Sequence, residues 1–350
     1  MAWRAGRLVL LFFGALAATS LIAGLATTVF GVWHFQRVSP LALAANLAAM
    51  PVVSLVVMPA AVAGSLLVPL GLDGPFFAAM GWGLRLVMAI AHFLSERSPL
   101  DSVGAIPAAA LVLLACALAV ATIATTATLR LLAVPLAVAG LAAALSRDLP
   151  DALVSEDGRL VAVATADGRL AVNRARPSGF TIGNWQHAMA ANGIVRPEPT
   201  ERADDISAAP GAGAGPQTGH AFRCGADKTC LARHAGGSAV AYAPDAATAT
   251  AYCVTAALIV VDDATAQNPC APGSPAAVVT RRDLALRGSA AVWLDGAGTP
   301  RIVFAIGDAP RIWHDQRRFS REARGLPPWQ KRPPGTPSAD AAPAGAAPRR

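Results

Sequence analysis

Charge is missing from most of the first 147 residues. Leu8–Trp33 carries no charged side chain, and neither does Leu41–Leu72. Residues 102–129 and 131–146 carry none either, with Arg130 alone between them. A hydrocarbon core about 30 Å thick takes roughly 20 apolar helical residues to cross. Helices of a soluble core keep a polar face over so many turns, and these runs do not. The deficit is local. The whole chain has 350 residues, 54% hydrophobic, with a formal net charge of +7, and nearly all its acids lie beyond Arg147. That contrast predicts a membrane domain over 1–147 followed by a soluble domain over 148–320.

Motif chemistry is also scarce. The six histidines, His34, His92, His187, His220, His234 and His314, never fall within five residues of one another. There is no His-x-His-x-Asp-His run, no His-Glu-x-x-His and no Gly-x-x-x-x-Gly-Lys-Ser/Thr loop. The glycine-rich run Gly211–Gly215 lies in a linker, not between a strand and a helix. Asp262-Asp263, after a candidate strand, could hold a cation, although acids there are more often solvated turn residues. No catalytic constellation, metal set or cofactor motif emerges, so the chain reads as non-enzymatic.

The apolar runs are not uniform. The first span, near Arg7–Trp33, is too long for a signal-peptide core and is followed by no convincing small-residue cleavage site. Its Gly14, Ala17, Ala18, Gly24 and Ala26 are expected to let neighbouring helices approach. Ser39–Gly71 is interrupted by Pro51, Pro59 and Pro69. Proline removes a backbone donor and clashes with the preceding turn. In lipid such breaks survive where protein or water satisfies the freed carbonyls. The segment is therefore expected to be one kinked span or two half-helices, with Asn46 inside it as interhelical glue or a polar lining. Residues 76–95 mix apolar positions at helical spacing with Arg85, His92 and Ser95. They read as an amphipathic helix in the interface, with a short span as the alternative. Spans at Ala105–Thr125 and Leu129–Leu145 follow, after a turn at Ser98–Asp101.

The positive-inside rule then gives a topology. With Arg130 in the cytoplasm, the interfacial helix and everything after Arg147 lie outside. Arg37 falls inside if Ser39–Gly71 crosses once, but Arg4 and Arg7 then fall on the wrong side.

The soluble part opens with two Asp-Gly turns, at Asp157-Gly158 and Asp167-Gly168, flanked by apolar runs, a hairpin pattern. A helix is expected over Phe180–Asn192 and a linker over Pro197–Gly219. Strands are expected at Ala239–Ala243, Leu258–Val261, Ala277–Thr280, Ala290–Leu294 and Ile302–Ile306. A turn at Asp295–Gly298 would join the last two. The basic Pro/Ala-rich tail, 321–350, reads as disordered and could meet anionic lipid or nucleic acid.

Five cysteines are present. Cys116 lies in an apolar run and is expected to be a small buried residue. Cys224 and Cys230 are separated by five residues, and Cys253 and Cys270 by sixteen. Structural zinc sites favour separations of two to four. Two disulfides fit better, and all three pairings remain open.

The order Trp33-His34-Phe35-Gln36-Arg37-Val38-Ser39-Pro40-Leu41, Ala45–Ser54, Val57-Met58-Pro59 and Leu66–Leu72 resembles the ComEC competence family. The likeness covers about Arg7–Leu145. It implies a multi-pass bundle in the bacterial inner membrane, followed by a smaller β-rich α/β domain on the extracytoplasmic side. That domain occupies the position of a degenerate metallo-β-lactamase-like domain of the shortened, alphaproteobacterial type, without the metal-binding His/Asp motif. The family's earlier helices and OB-like domain have no counterpart, so a C-terminal portion of a longer channel protein is expected. The implied function is uptake of single-stranded DNA during transformation. Asn46, Pro51 and Pro59 would line the DNA path, and Arg37 and Arg85 would guide phosphate. Membrane lipid, DNA-receptor proteins, a cytoplasmic ATPase or helicase and further copies of the chain are the implied partners. A membrane-anchored binding module without transport is the competing reading.

Overall fold

The computed structural model describes residues 2–98, 102–200, 221–294, 299–307, 309 and 311–329. The turn at 99–101, most of the expected linker, the Asp295–Gly298 turn and the tail beyond Trp329 lie outside the described residues. Two compact units divide the chain. One is Met1–Pro150 with Ala164–Leu170 and Arg176–Val195; the other is Asp151–Val163, Ala171–Ala175 and Arg196–Arg350.

The first unit is built on α1 (Ala2–Phe35), α2 (Ala42–Val52), α3 (Met58–Leu67), α4 (Gly74–Ser95), α5 (Ala108–Ile123), α6 (Ala127–Leu131) and α7 (Ala133–Leu145). Four helical stretches are long and apolar enough to cross a membrane: Leu10–Phe35, Ala42–Leu70, Gly74–Ser95 and Ala127–Leu145. The protein is a membrane protein. The Thr19, Thr27 and Thr28 hydroxyls on α1 and the Thr122 hydroxyl on α5 are satisfied within their own helix. Thr27 donates to the Ala23 carbonyl at 2.8 Å and Thr122 to Leu118 at 2.8 Å, as lipid offers no other partner.

Close helix approach occurs at glycines other than those expected. A Cβ on Gly14 or Gly24 would meet nothing within 4 Å. On Gly140 of α7 it would lie 2.8 Å from Leu114 Cγ and 3.1 Å from the Leu114 backbone nitrogen. The α5–α7 contact is therefore set by a missing side chain. Gly140→Leu should destabilise the chain by about 1–3 kcal/mol, because backbone must move. Gly14→Leu should change little. Thermal melts of the two variants in one detergent check the contrast. Cys116 is exposed on α5, not buried as expected.

The ends of the helices revise the expected topology. Val103 N–H donates to the Gln36 carbonyl at 3.0 Å, and Arg37 and Ser102 form a β-bridge. Arg37 and the entry to α5 therefore share one end of this unit; a single crossing by Ser39–Gly71, with residues 76–95 in the interface, was expected to put them on opposite sides. Ala42–Leu70 and α4 leave from that end and return to it as a helical hairpin. Either both cross the membrane or neither does.

The β-rich region follows the hairpin pattern of the sequence. β1 (Ala152–Val154) pairs antiparallel with β2 (Val161–Ala164) through the Asp157-Gly158 turn, where Gly158 has φ 69°. β3 (Leu170–Val172) follows the second such turn, and α8 spans Gly179–Met189. The short strands β4 (Ile194–Val195) and β5 (Glu198–Pro199) come next, then β6 (Arg223–Cys224), β7 (Cys230–Arg233) and β8 (Ala239–Ala243). After them come α9 (Ala246–Ala249), β9 (Leu258–Val261), β10 (Ala277–Thr280), α10 (Arg281–Arg287), β11 (Ala290–Trp293) and β12 (Arg301–Phe304). One sheet runs β12-β11-β1-β2-β3-β4 and the other β10-β9-β8-β7-β6-β5. In the second sheet β8, β9 and β10 are parallel, and their strands are buried almost throughout, as parallel strands covered on both faces are.

Candidate functional site

The proline-broken segment is one continuous helix whose hydrogen bonding changes register. Pro51 sits inside α2 and Pro59 at the start of α3. Between them Val53–Val57 is π-helical, and the Met58 N–H reaches back to the Val53 carbonyl. Proline withholds the donor that would bond four residues back, so the helix widens instead of ending. The widened turn is packed against α4. A Cβ on Gly83 would lie 2.8 Å from Val57 Cγ2 and 3.2 Å from Val56 Cγ1. Val57 and Gly83 are buried there, while Asn46, Ser54 and Pro59 are exposed.

The two candidate cations are placed differently. Arg85 is exposed on α4, two residues and so about 200° round the helix from Gly83, on the side away from the π-helical turn. Arg37 stands at the end of α1. Its Nη2 donates to Nε2 of His187 on α8, whose sequence separation is 150 residues. The same end of α8 accepts from the entry to α5: Ser102 Oγ donates to the His187 carbonyl at 3.0 Å and Ala105 N–H to the Ala188 carbonyl at 2.7 Å. Carbonyls at a helix C-terminus lack partners within the helix, and this junction supplies them.

In the second unit the cysteines form two disulfides, Cys224–Cys230 and Cys253–Cys270. Cys224 and Cys230 are directly opposed on β6 and β7. Cys253 and Cys270 lie in a core cluster with Tyr252, Ile259 and Val261.

Asp262 and Asp263 part ways. Asp263 is a turn acid whose Oδ1 accepts from Thr265 N–H at 2.8 Å. Asp262 points into a polar cluster at the carboxyl ends of β8, β9 and β10. Tyr242 Oη donates to its Oδ2 at 3.0 Å, Arg281 Nη1 to its Oδ1 at 3.2 Å, and Arg159 Nε lies 3.8 Å away. Arg281 also reaches Glu322 Oε1 at 3.4 Å. The cations beside Asp262 are guanidiniums. Among the described residues no group of three or more His, Cys, Asp or Glu is arranged to hold a metal ion.

Burial pushes the Asp262 carboxyl above the ordinary carboxylate value, against the hydrogen bond from Tyr242 and the charges of Arg281, Arg159 and Arg174. Burial, then the Asp262 charge, holds the Tyr242 phenol up to about 12. The folded state thus keeps a proton that the unfolded chain releases near the ordinary tyrosine value of about 10. Tyr242 contributes stability below that value, and the contribution is lost as pH rises toward 12. The chain has two tyrosines, so an ultraviolet titration should show a late phenol that Tyr242→Phe removes.

Residues 2–130 match the family model described as Competence protein. No curated protein and no solved structure matches the chain.

Proposed function

We propose, from the match of residues 2–130 to the Competence protein model, that this chain is an inner-membrane channel component through which single-stranded DNA enters a bacterial cell. The observation that carries the reading is the Ala42–Leu70 helix, widened between Pro51 and Pro59 and packed against α4. An anchor needs no such turn. A conduit does, because backbone and side-chain polar groups must face a wet path somewhere in the bilayer. Asn46 and the exposed faces beside Pro51 and Pro59 line that path in this reading. Arg85 and Arg37 meet phosphates on the way.

The helical hairpin removes a conflict in the orientation. If Ala42–Leu70, α4 and the 16-residue α5 all cross, then Arg4, Arg7 and Arg130 share the cytoplasmic side. Arg37, Arg147 and the β-rich region then lie outside the cytoplasm. Two disulfides suit that oxidising side. The path carries no motor of its own in this scheme. A cytoplasmic ATPase or helicase pulls the strand, receptor proteins deliver it, and copies of the chain can assemble around it. The chain conducts DNA and does not cut it.

Deleting the locus in a transformable strain should abolish internalisation of labelled DNA, and the intact gene supplied in trans should restore it. Unchanged uptake would sink the proposal. Pro51→Ala with Pro59→Ala should regain helical hydrogen bonds, worth up to about 3 kcal/mol at each interior proline. Stability should rise while DNA internalisation falls, measured at equal protein levels.

A further inference from the structure

The most exposed apolar surface of the second unit lies on one short helix. Ile312–Phe319 is a 3-10 helix in which Ile312 is 88% exposed, Trp313 62% and Phe319 76%. In such a helix residues three apart lie on one line, so Trp313 and Phe319 share a face. A different face holds the helix to its unit. Arg317 Nη2 pairs with Glu156 at 2.7 Å, and its Nη1 donates to the Ala285 carbonyl at 3.1 Å. The helix is thus pinned with its aromatic face outward. Arg311 lies over the Trp313 ring at 5.2 Å, and Arg318 is exposed beside Phe319.

We propose that this face is a membrane-surface anchor that seats the second unit on anionic lipid headgroups. Apolar side chains, a tryptophan and flanking arginines on one pinned helix are the composition of an interfacial element. Only Ser146–Pro150 separates the last membrane helix from β1, so the bilayer is always within reach and docking is effectively intramolecular. A DNA strand is the poorer fit. Stacking sites for bases offer open aromatic faces. Here Arg311 lies over the Trp313 ring, where a stacked base would have to sit. Ile312 offers a base no ring at all. The inference does not depend on transport and would hold for an anchored module.

The test uses the full chain in lipid nanodiscs, with Cys116→Ser and one new cysteine carrying an environment-sensitive dye. Gln316→Cys, on the line of Trp313 and Phe319, reports the proposed anchor. Ala235→Cys, on the exposed β7–β8 turn, reports a surface away from it. In phosphatidylcholine discs containing phosphatidylglycerol, the dye at 316 should emit to the blue and be quenched by spin-labelled lipid. Both effects should weaken without phosphatidylglycerol or in high salt, and vanish with Trp313→Asp and Phe319→Asp. The dye at 235 should stay wet throughout. A dye at 316 as wet as the one at 235 would overturn the proposal. So would shielding that lipid-borne quencher cannot reach, or shielding that appears only when an oligodeoxythymidylate is added.

Discussion

Arg281→Ala should cost the second unit about 3–5 kcal/mol, the scale for stripping one partner from a buried ion pair. Arg281 is largely buried and answers two carboxylates, Asp262 at 3.2 Å and Glu322 at 3.4 Å. Removing it leaves Asp262 with the Tyr242 hydroxyl and the more distant Arg159. Asp262→Ala should do comparable harm, because it leaves the Arg281 guanidinium half-answered. The double replacement Asp262→Leu with Arg281→Met should recover much of the loss, since a buried pair is often no better than a well-packed apolar one. Arg281→Lys should not rescue, because an ammonium cannot serve two carboxylates through a planar fork. Denaturant melts of the full chain, with disulfides intact, give the comparison. Equal stability of Arg281→Ala and the unaltered chain would show that the cluster is a solvated surface network.

Loss of the Cys253–Cys270 bridge should cost about 3 kcal/mol, against about 2 for Cys224–Cys230, by the chain-entropy relation. The difference follows from loop length, 17 residues apart against 6. Burial separates the bridges less. Cys253 and Cys270 are 8% and 9% exposed in the core cluster around Ile259 and Val261, and Cys230 is 3% exposed. Paired alanines at 253 and 270 empty two buried positions, whereas alanines at 224 and 230 empty one, in a hairpin whose strands still pair. Melts of the two double variants should therefore rank in that order. The reverse order would mean that the Cys224–Cys230 hairpin, not the Cys253–Cys270 core, limits stability.

What the sequence made legible is what local composition controls. Long uncharged runs mark the spans, and Asp-Gly between apolar runs marks the β1–β2 turn. The prolines at 51 and 59 mark a break. They do not reveal that the helix continues through the break by widening, since that depends on α4 packing against Val56 and Val57. Composition likewise says that glycines enable close contact but not which ones. Gly14 faces open space and Gly140 abuts Leu114. The largest misreading concerned sidedness. Arg37 and Ser102 meet through a bridge that no local pattern encodes, and that contact makes Ala42–Leu70 and residues 76–95 the two arms of one hairpin. The Asp262 cluster was hidden for the same reason. Its partners come from β8, the β1–β2 turn, the start of α10 and the segment near Glu322, and each looks like an ordinary surface residue in isolation.

The central claim is that a DNA strand passes along the widened Ala42–Leu70 helix. A photoreactive amino acid at position 46, in cells taking up labelled DNA, tests it most directly. Illumination during uptake should cross-link single-stranded DNA to the chain at 46 and not at position 10, which is exposed near the start of α1. Adducts equally frequent at both positions, or absent at 46 while uptake proceeds, would contradict the account.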